Sequence, residues 1–133
     1  MTTYVAGKWE EKPAVQSLMD RLKSKGHTIS YDWTLVDDDT PLWEQAEKDL
    51  RGVIAAEVFI FLATKKLPYA GAFAELGAAL ATDADVYVIG LGGEACIFTK
   101  HPRVTTCRTV EECLERLNGR TWRGSYTGDE SPF

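Results

Sequence analysis

Glu57-Val-Phe-Ile-Phe-Leu-Ala63 is nearly all apolar after its opening acid. A run of this length without polar alternation reads as a central parallel strand, buried on both faces. Parallel strands need crossover segments around them, and the flanking sequence supplies helices. Upstream, Thr40-Pro41 reads as an N-cap followed by proline at the first helical position. Trp43, Ala46, Leu50, Val53 and Ile54 then form one apolar stripe, with Glu44, Glu47, Lys48 and Arg51 on the polar side and Asp49 beside the stripe. Downstream, a loop from Thr64 to Gly71 leads into a helix carrying Glu75 and Leu76 to Ala81. Asp85-Val-Tyr-Val-Ile-Gly90 follows as another strand, ended by a glycine-rich turn from Gly90 to Gly93 that lacks dinucleotide-fingerprint spacing.

The chain before residue 40 repeats the alternation. Thr2 to Ala6 is a β-prone run ended by Gly7. Val15, Leu18, Met19 and Leu22 then fall at helical spacing, with Gly26 at the position of a C-cap glycine, and His27 to Tyr31 reads as the next strand. A polar loop spans residues 32–40. After the glycine turn, Arg103 to Cys107 reads as an edge strand and Thr109 to Leu117 as a helix with a Thr109–Glu112 capping box, ended by Asn118-Gly119. The pattern predicts one domain over residues 1–119, and a tail over 120–133 that is free or packs on a partner subunit. Alternating strands and helices define an α/β class: a doubly wound parallel sheet of five strands, flavodoxin-like, in the order 2-1-3-4-5.

Composition narrows the function classes. The 133 residues carry a net charge of -5, 44% hydrophobic and 26% charged side chains. That is the balance of a soluble globular domain, and it argues against a basic duplex-binding face. Cys96, Cys107 and Cys113 form no CxxC pair, so neither a disulfide framework nor a metal site is expected, nor does any cofactor motif appear. Without a basic-then-apolar leader or a long apolar run, the expected location is cytoplasmic and the expected ligand is a small molecule.

In doubly wound sheets a ligand sits beyond the carboxyl ends of the strands, near the switch between strands one and three. The loops at Gly7-Lys8-Trp9, Thr64–Gly71 and Gly90–Gly93 converge there, and Glu75 follows the second of them. Glu75 lies among Ala, Gly, Phe and Leu. An acid there either points outward at a helix start, where the macrodipole favours it, or is held in an apolar crevice for use. A carboxylate in such a crevice can attack an electron-poor carbon such as the anomeric carbon of a sugar. Asp49 is the candidate second acid, against the alternative of a solvated helix face. Tyr4 is a candidate to orient a carboxylate, against the alternative of core packing, and Tyr69 is placed to touch a ligand. Lys8, with the backbone N–H groups around Gly7 and at the start of the Glu75 helix near Gly71, is the candidate phosphate contact. Trp9 and Trp33, after strands one and two, are candidates to stack a nucleobase or to pack.

Together, Tyr4-Val-Ala-Gly7, Asp49 ahead of Ala56-Glu-Val-Phe-Ile-Phe61, and Gly71-Ala-Phe-Ala-Glu-Leu-Gly-Ala-Ala-Leu80 leading into Val86-Tyr-Val-Ile-Gly90 resemble the nucleoside 2-deoxyribosyltransferases and their relatives, the deoxynucleoside 5'-monophosphate N-glycosidases. The resemblance covers residues 2–90. It implies that Glu75 attacks the anomeric carbon, Asp49 assists the departing base and Tyr4 holds the nucleophile. It also implies a nucleoside or nucleotide substrate and a homodimer in which a neighbour completes the site. The expected activity is cleavage or transfer at an N-glycosidic bond through a glycosyl-glutamate. Two alternatives remain at this level: a TIR-like NAD glycohydrolase, and a non-enzymatic nucleotide sensor.

Overall fold

A computed structural model describes residues 1–65, 68–90 and 96–120. Its five strands are β1 (Thr2–Ala6), β2 (Thr28–Ile29), β3 (Val58–Leu62), β4 (Asp85–Ile89) and β5 (Val104–Cys107). All pair in parallel, in the order β2-β1-β3-β4-β5. The fold is the flavodoxin-like α/β sheet that the alternation predicts. The central run behaves as its composition demands, since every residue of β3 is buried, between β1 and β4. β2 is shorter than expected, with only Thr28 and Ile29 paired to β1.

Four helices cross over the sheet: α1 (Lys12–Ser24), α2 (Leu42–Ala55), α3 (Ala70–Leu80) and α4 (Val110–Arg120). α1 buries Val15, Leu18, Met19 and Leu22, and ends where Gly26 takes a φ of 93°. That left-handed turn is open to glycine without a Cβ penalty. α4 starts with half of the anticipated box: Thr109 Oγ1 accepts from Glu112 N, but the Glu112 carboxylate accepts from the backbone of Arg108 rather than that of Thr109. The helix continues through Asn118-Gly119 to Arg120, so that dipeptide is not its end. The glycine turn after Gly90 and the segment from residue 121 onward, including the anticipated tail, lie outside the described residues.

α2 departs from expectation in two ways. Pro41 is its N-cap rather than its first helical residue, and Thr40 serves through its carbonyl, which accepts from Gln45 Nε2 at 2.8 Å. Its apolar stripe also splits. Val53 enters the core, whereas Trp43, Leu50 and Ile54 are exposed, Trp43 at 68%. The reason lies at Gly52, where a Cβ would stand 2.7 Å from Tyr31 Cβ and 3.1 Å from the Tyr4 ring. α2 therefore rests its backbone on two tyrosines, and the faces to either side of Gly52 and Val53 turn away from the sheet.

Candidate active site

β1 ends at the floor of a crevice, and Tyr4 stands on it. Its ring is fully buried and stacks on Phe59 of β3, with centroids 5.9 Å apart and planes 7° from parallel. Held this way, the Tyr4 hydroxyl donates to Glu75 Oε2 at 2.7 Å. Glu75 projects from the middle of α3, past the N-terminal turn, so the reading of an outward helix-start acid is set aside. Burial is the main influence on it, pushing its carboxyl up to about 7; the Tyr4 hydrogen bond pulls downward and the nearby Asp49 charge adds to the rise. Burial also lifts Asp49, to about 6. The Tyr4 phenol is pushed far upward by its own burial and then by the two carboxylates, so it stays a donor across the working range.

Glu75 and Asp49 line one cavity of about 300 Å3 with Ala46, Leu50, Gly71 and Ala74. They also line an adjoining cavity of about 200 Å3 with Gly7, Trp9, Trp33, Val36, Gln45, Gly71 and Ala72. The two acids thus sit where the spaces meet. Gly7 is required at this place, because a Cβ would come within 2.8 Å of Val15 Cγ2. Gly71 lies in the first turn of α3 and leaves open space where a side chain would stand.

Trp33 forms a wall of the second cavity. Its indole N–H donates to the Val5 carbonyl at 2.7 Å, and Asp32 fixes the turn beneath it by accepting from both the backbone and the hydroxyl of Thr34. Trp9 is half exposed at the rim, its ring 6.3 Å from that of Trp33 and covered by the Lys12 ammonium at 4.1 Å. An aromatic rim above an acid pair suits a flat ring joined to a sugar.

Two residues anticipated at the ligand are used otherwise. Tyr69 is buried, and its hydroxyl donates to Glu11 Oε1 at 2.7 Å while accepting from Lys65 N at 3.0 Å. The Lys8 ammonium donates to the Pro68 carbonyl and lies 5.4 Å from the centre of the Tyr69 ring. Neither residue lines the two cavities. Glu11, which sequence reasoning missed, is the hub of this clasp: it is buried and its second oxygen accepts from Thr64 Oγ1 at 2.7 Å. Beside Glu10 at a helix start it carries no sequence signal that separates it from a solvated acid. Gln45 was also missed, although its position one turn ahead of Asp49 on α2 was a usable clue. Among the described residues no group of His, Cys, Asp and Glu is arranged to hold a metal ion, and no helix is long and apolar enough to cross a membrane.

Comparison with known proteins locates this architecture among solved folds. No family model matches the chain, and no curated protein matches its sequence. A solved structure, the CMP N-glycosidase BcmB of Clostridium botulinum, is similar with a TM-score of 0.65 at 16% identity, over 89% of this chain and 98% of that one. The chain shares that protein's fold across almost the whole of both.

Proposed function

We propose that this protein is an N-glycosidase of nucleotides or nucleosides, acting by double displacement through Glu75. The observation carrying this reading is the half-buried Tyr4–Glu75 hydrogen bond beside a cavity that Glu75 and Asp49 both line. The fold shared with a CMP N-glycosidase supports it. In the first step a Glu75 carboxylate oxygen bonds to the anomeric carbon, the bond from that carbon to the base nitrogen breaks with its electron pair leaving on the base, and Asp49 delivers a proton to the base. In the second, Asp49 takes a proton from water, which attacks the same carbon and frees Glu75. A second base in place of water gives transfer. Burial raises Glu75 to about 7 and Asp49 to about 6, so the pair holds a single proton between those values, and the reacting form, with Glu75 ionised and Asp49 protonated, is the minor of its two arrangements.

A panel of nucleosides, their 5'-monophosphates and NAD, assayed by chromatography for free base, tests the reading. Base release by the native chain, lost in Glu75→Gln, supports it. Nicotinamide release from NAD alone would replace it with the NAD-directed activity, and binding without turnover across the panel would replace it with a sensor.

We also propose that a second copy of the chain covers the exposed stripe of α2, where Leu42, Trp43, Leu50 and Ile54 are open to solvent beside the cavity. The charges flanking the stripe are already paired within the helix, Lys48 with Glu44 and Arg51 with Glu47. Two such faces can therefore meet about a two-fold axis without like-charge conflict. A sedimentation mass of one chain at assay concentration would overturn this.

A further inference from the structure

Gln45 sits one helical turn ahead of Asp49 on α2, and both line the cavity walled by Trp9 and Trp33. Four residues of helix advance about 6 Å along its axis, so the two side chains address a bound base at different points along its length. If Asp49 serves the leaving nitrogen, Gln45 stands at the far edge of the base. Its orientation is not ambiguous: Nε2 donates to the Thr40 carbonyl at 2.8 Å, and a carbonyl can only accept. The amide nitrogen is thereby anchored toward the start of α2, and its second N–H sits on that same anchored nitrogen. Oε1 is the end left over. Among the described residues no donor is recorded for it, while the amide itself is half-buried.

From this fixed amide we infer that Gln45 is the base-reading residue of the site, and that the substrate carries an exocyclic amino group on its base. This rests on the N-glycosidase reading above and deepens it. An amino base such as cytosine or adenine presents an N–H to Oε1. A keto base such as uracil presents an oxygen there, so two acceptors face each other and Oε1 is desolvated without a donor. Trp33 and Trp9 supply area for any flat ring, so stacking alone does not distinguish these bases. The discrimination falls to one amide whose rotation is blocked by a backbone carbonyl.

The test is the ratio of kcat/KM for cytidine 5'-monophosphate over uridine 5'-monophosphate, measured on the full chain and on Gln45→Met, with the corresponding ratio of dissociation constants from calorimetry on both proteins. Methionine keeps the length and helix propensity and removes the oriented acceptor. Because each ratio is taken within one preparation, any loss of folded protein cancels. The native chain should favour the cytosine substrate about 10- to 100-fold, and Gln45→Met should bring the ratio to within about threefold of unity. A native preference for uracil, or a cytosine preference unchanged in Gln45→Met, overturns the assignment while leaving the N-glycosidase reading intact if base is still released. If no substrate yields base, that reading fails, and the calorimetric ratio alone decides the role of Gln45.

Discussion

The two faces of the sheet are built to different ends. On one side, α1 buries Val15, Leu18, Met19 and Leu22, and α4 contributes Cys113, Leu114 and Leu117 to the same core. An ion pair between Arg21 and Glu111 joins the two helices at the surface. On the other side, α2 buries only Gly52 and Val53, and α3 only Ala72, Leu76 and Ala79. That second face keeps two acids with raised pKa values, an open cavity and an uncovered apolar stripe. One side of a single sheet thus holds the chain together, while the other leaves its packing incomplete and its charges desolvated where a ligand and a neighbour can use them.

The sharpest way to break this contrast is to neutralise Glu75. Glu75→Gln should lower base release by more than about a thousandfold and yet leave the fold more stable in alkaline buffer. The sign follows from burial: a carboxyl raised to about 7 in the folded chain lies above its ordinary value, so the native state binds the extra proton. Its contribution is complete at pH values below the unfolded value and is lost as pH rises through 7. Melting curves of both proteins at pH 5 and pH 8 check this, and the advantage of Glu75→Gln should be larger at pH 8. Leu18→Ala on the α1 side should do the reverse, costing about 2–5 kcal/mol in denaturant unfolding with kcat per folded molecule unchanged.

Asp49→Asn should reduce kcat about a hundredfold for natural bases and much less for a substrate whose leaving group needs no proton. Activity of the native chain should be bell-shaped in pH, highest between about 6 and 7. It falls at lower pH as both acids become protonated and no nucleophile remains, and at higher pH as both ionise and the proton donor is lost. Tyr4→Phe removes the hydrogen bond that favours ionised Glu75, so its kcat should fall roughly tenfold and the alkaline limb, set by the higher of the two acids, should move to higher pH. The smallest effect belongs to the stripe: Trp43→Lys should change unfolding free energy by less than about 0.5 kcal/mol, while shifting the sedimentation mass toward a single chain.

The fold was legible because its signals are local and redundant. The β3 run is buried on both faces, Val15 to Leu22 keep helical spacing, and Gly26 closes α1. Of the candidate site, Glu75 stood out as an acid inside an Ala/Gly helix where the topology brings loops together, whereas Asp49 and Tyr4 read equally well as a solvated helix face and a packed strand residue, and only the family resemblance implied their roles. The clasp of Glu11 with Tyr69 was not, since it joins residues 58 positions apart and an acidic helix start is ordinarily solvated. The fate of the α2 stripe was equally hidden: periodicity identifies an apolar face but not what covers it, and here Gly52 decides which part reaches the sheet.

Gly52 has a further consequence for the reaction. It lies three residues from Asp49 on α2 and holds the helix against the ring of Tyr4, whose hydroxyl carries Glu75. The absence of one side chain therefore acts as the gauge of the gap between the two carboxyls. Glycosidases that proceed with retention keep that gap near 5 Å, and those that invert hold it wider to admit a water between acid and sugar. Adding a single methyl group at Gly52 would push α2 away from the tyrosines, so under the proposed reaction a position that lines neither cavity bears on how far apart the two acids stand.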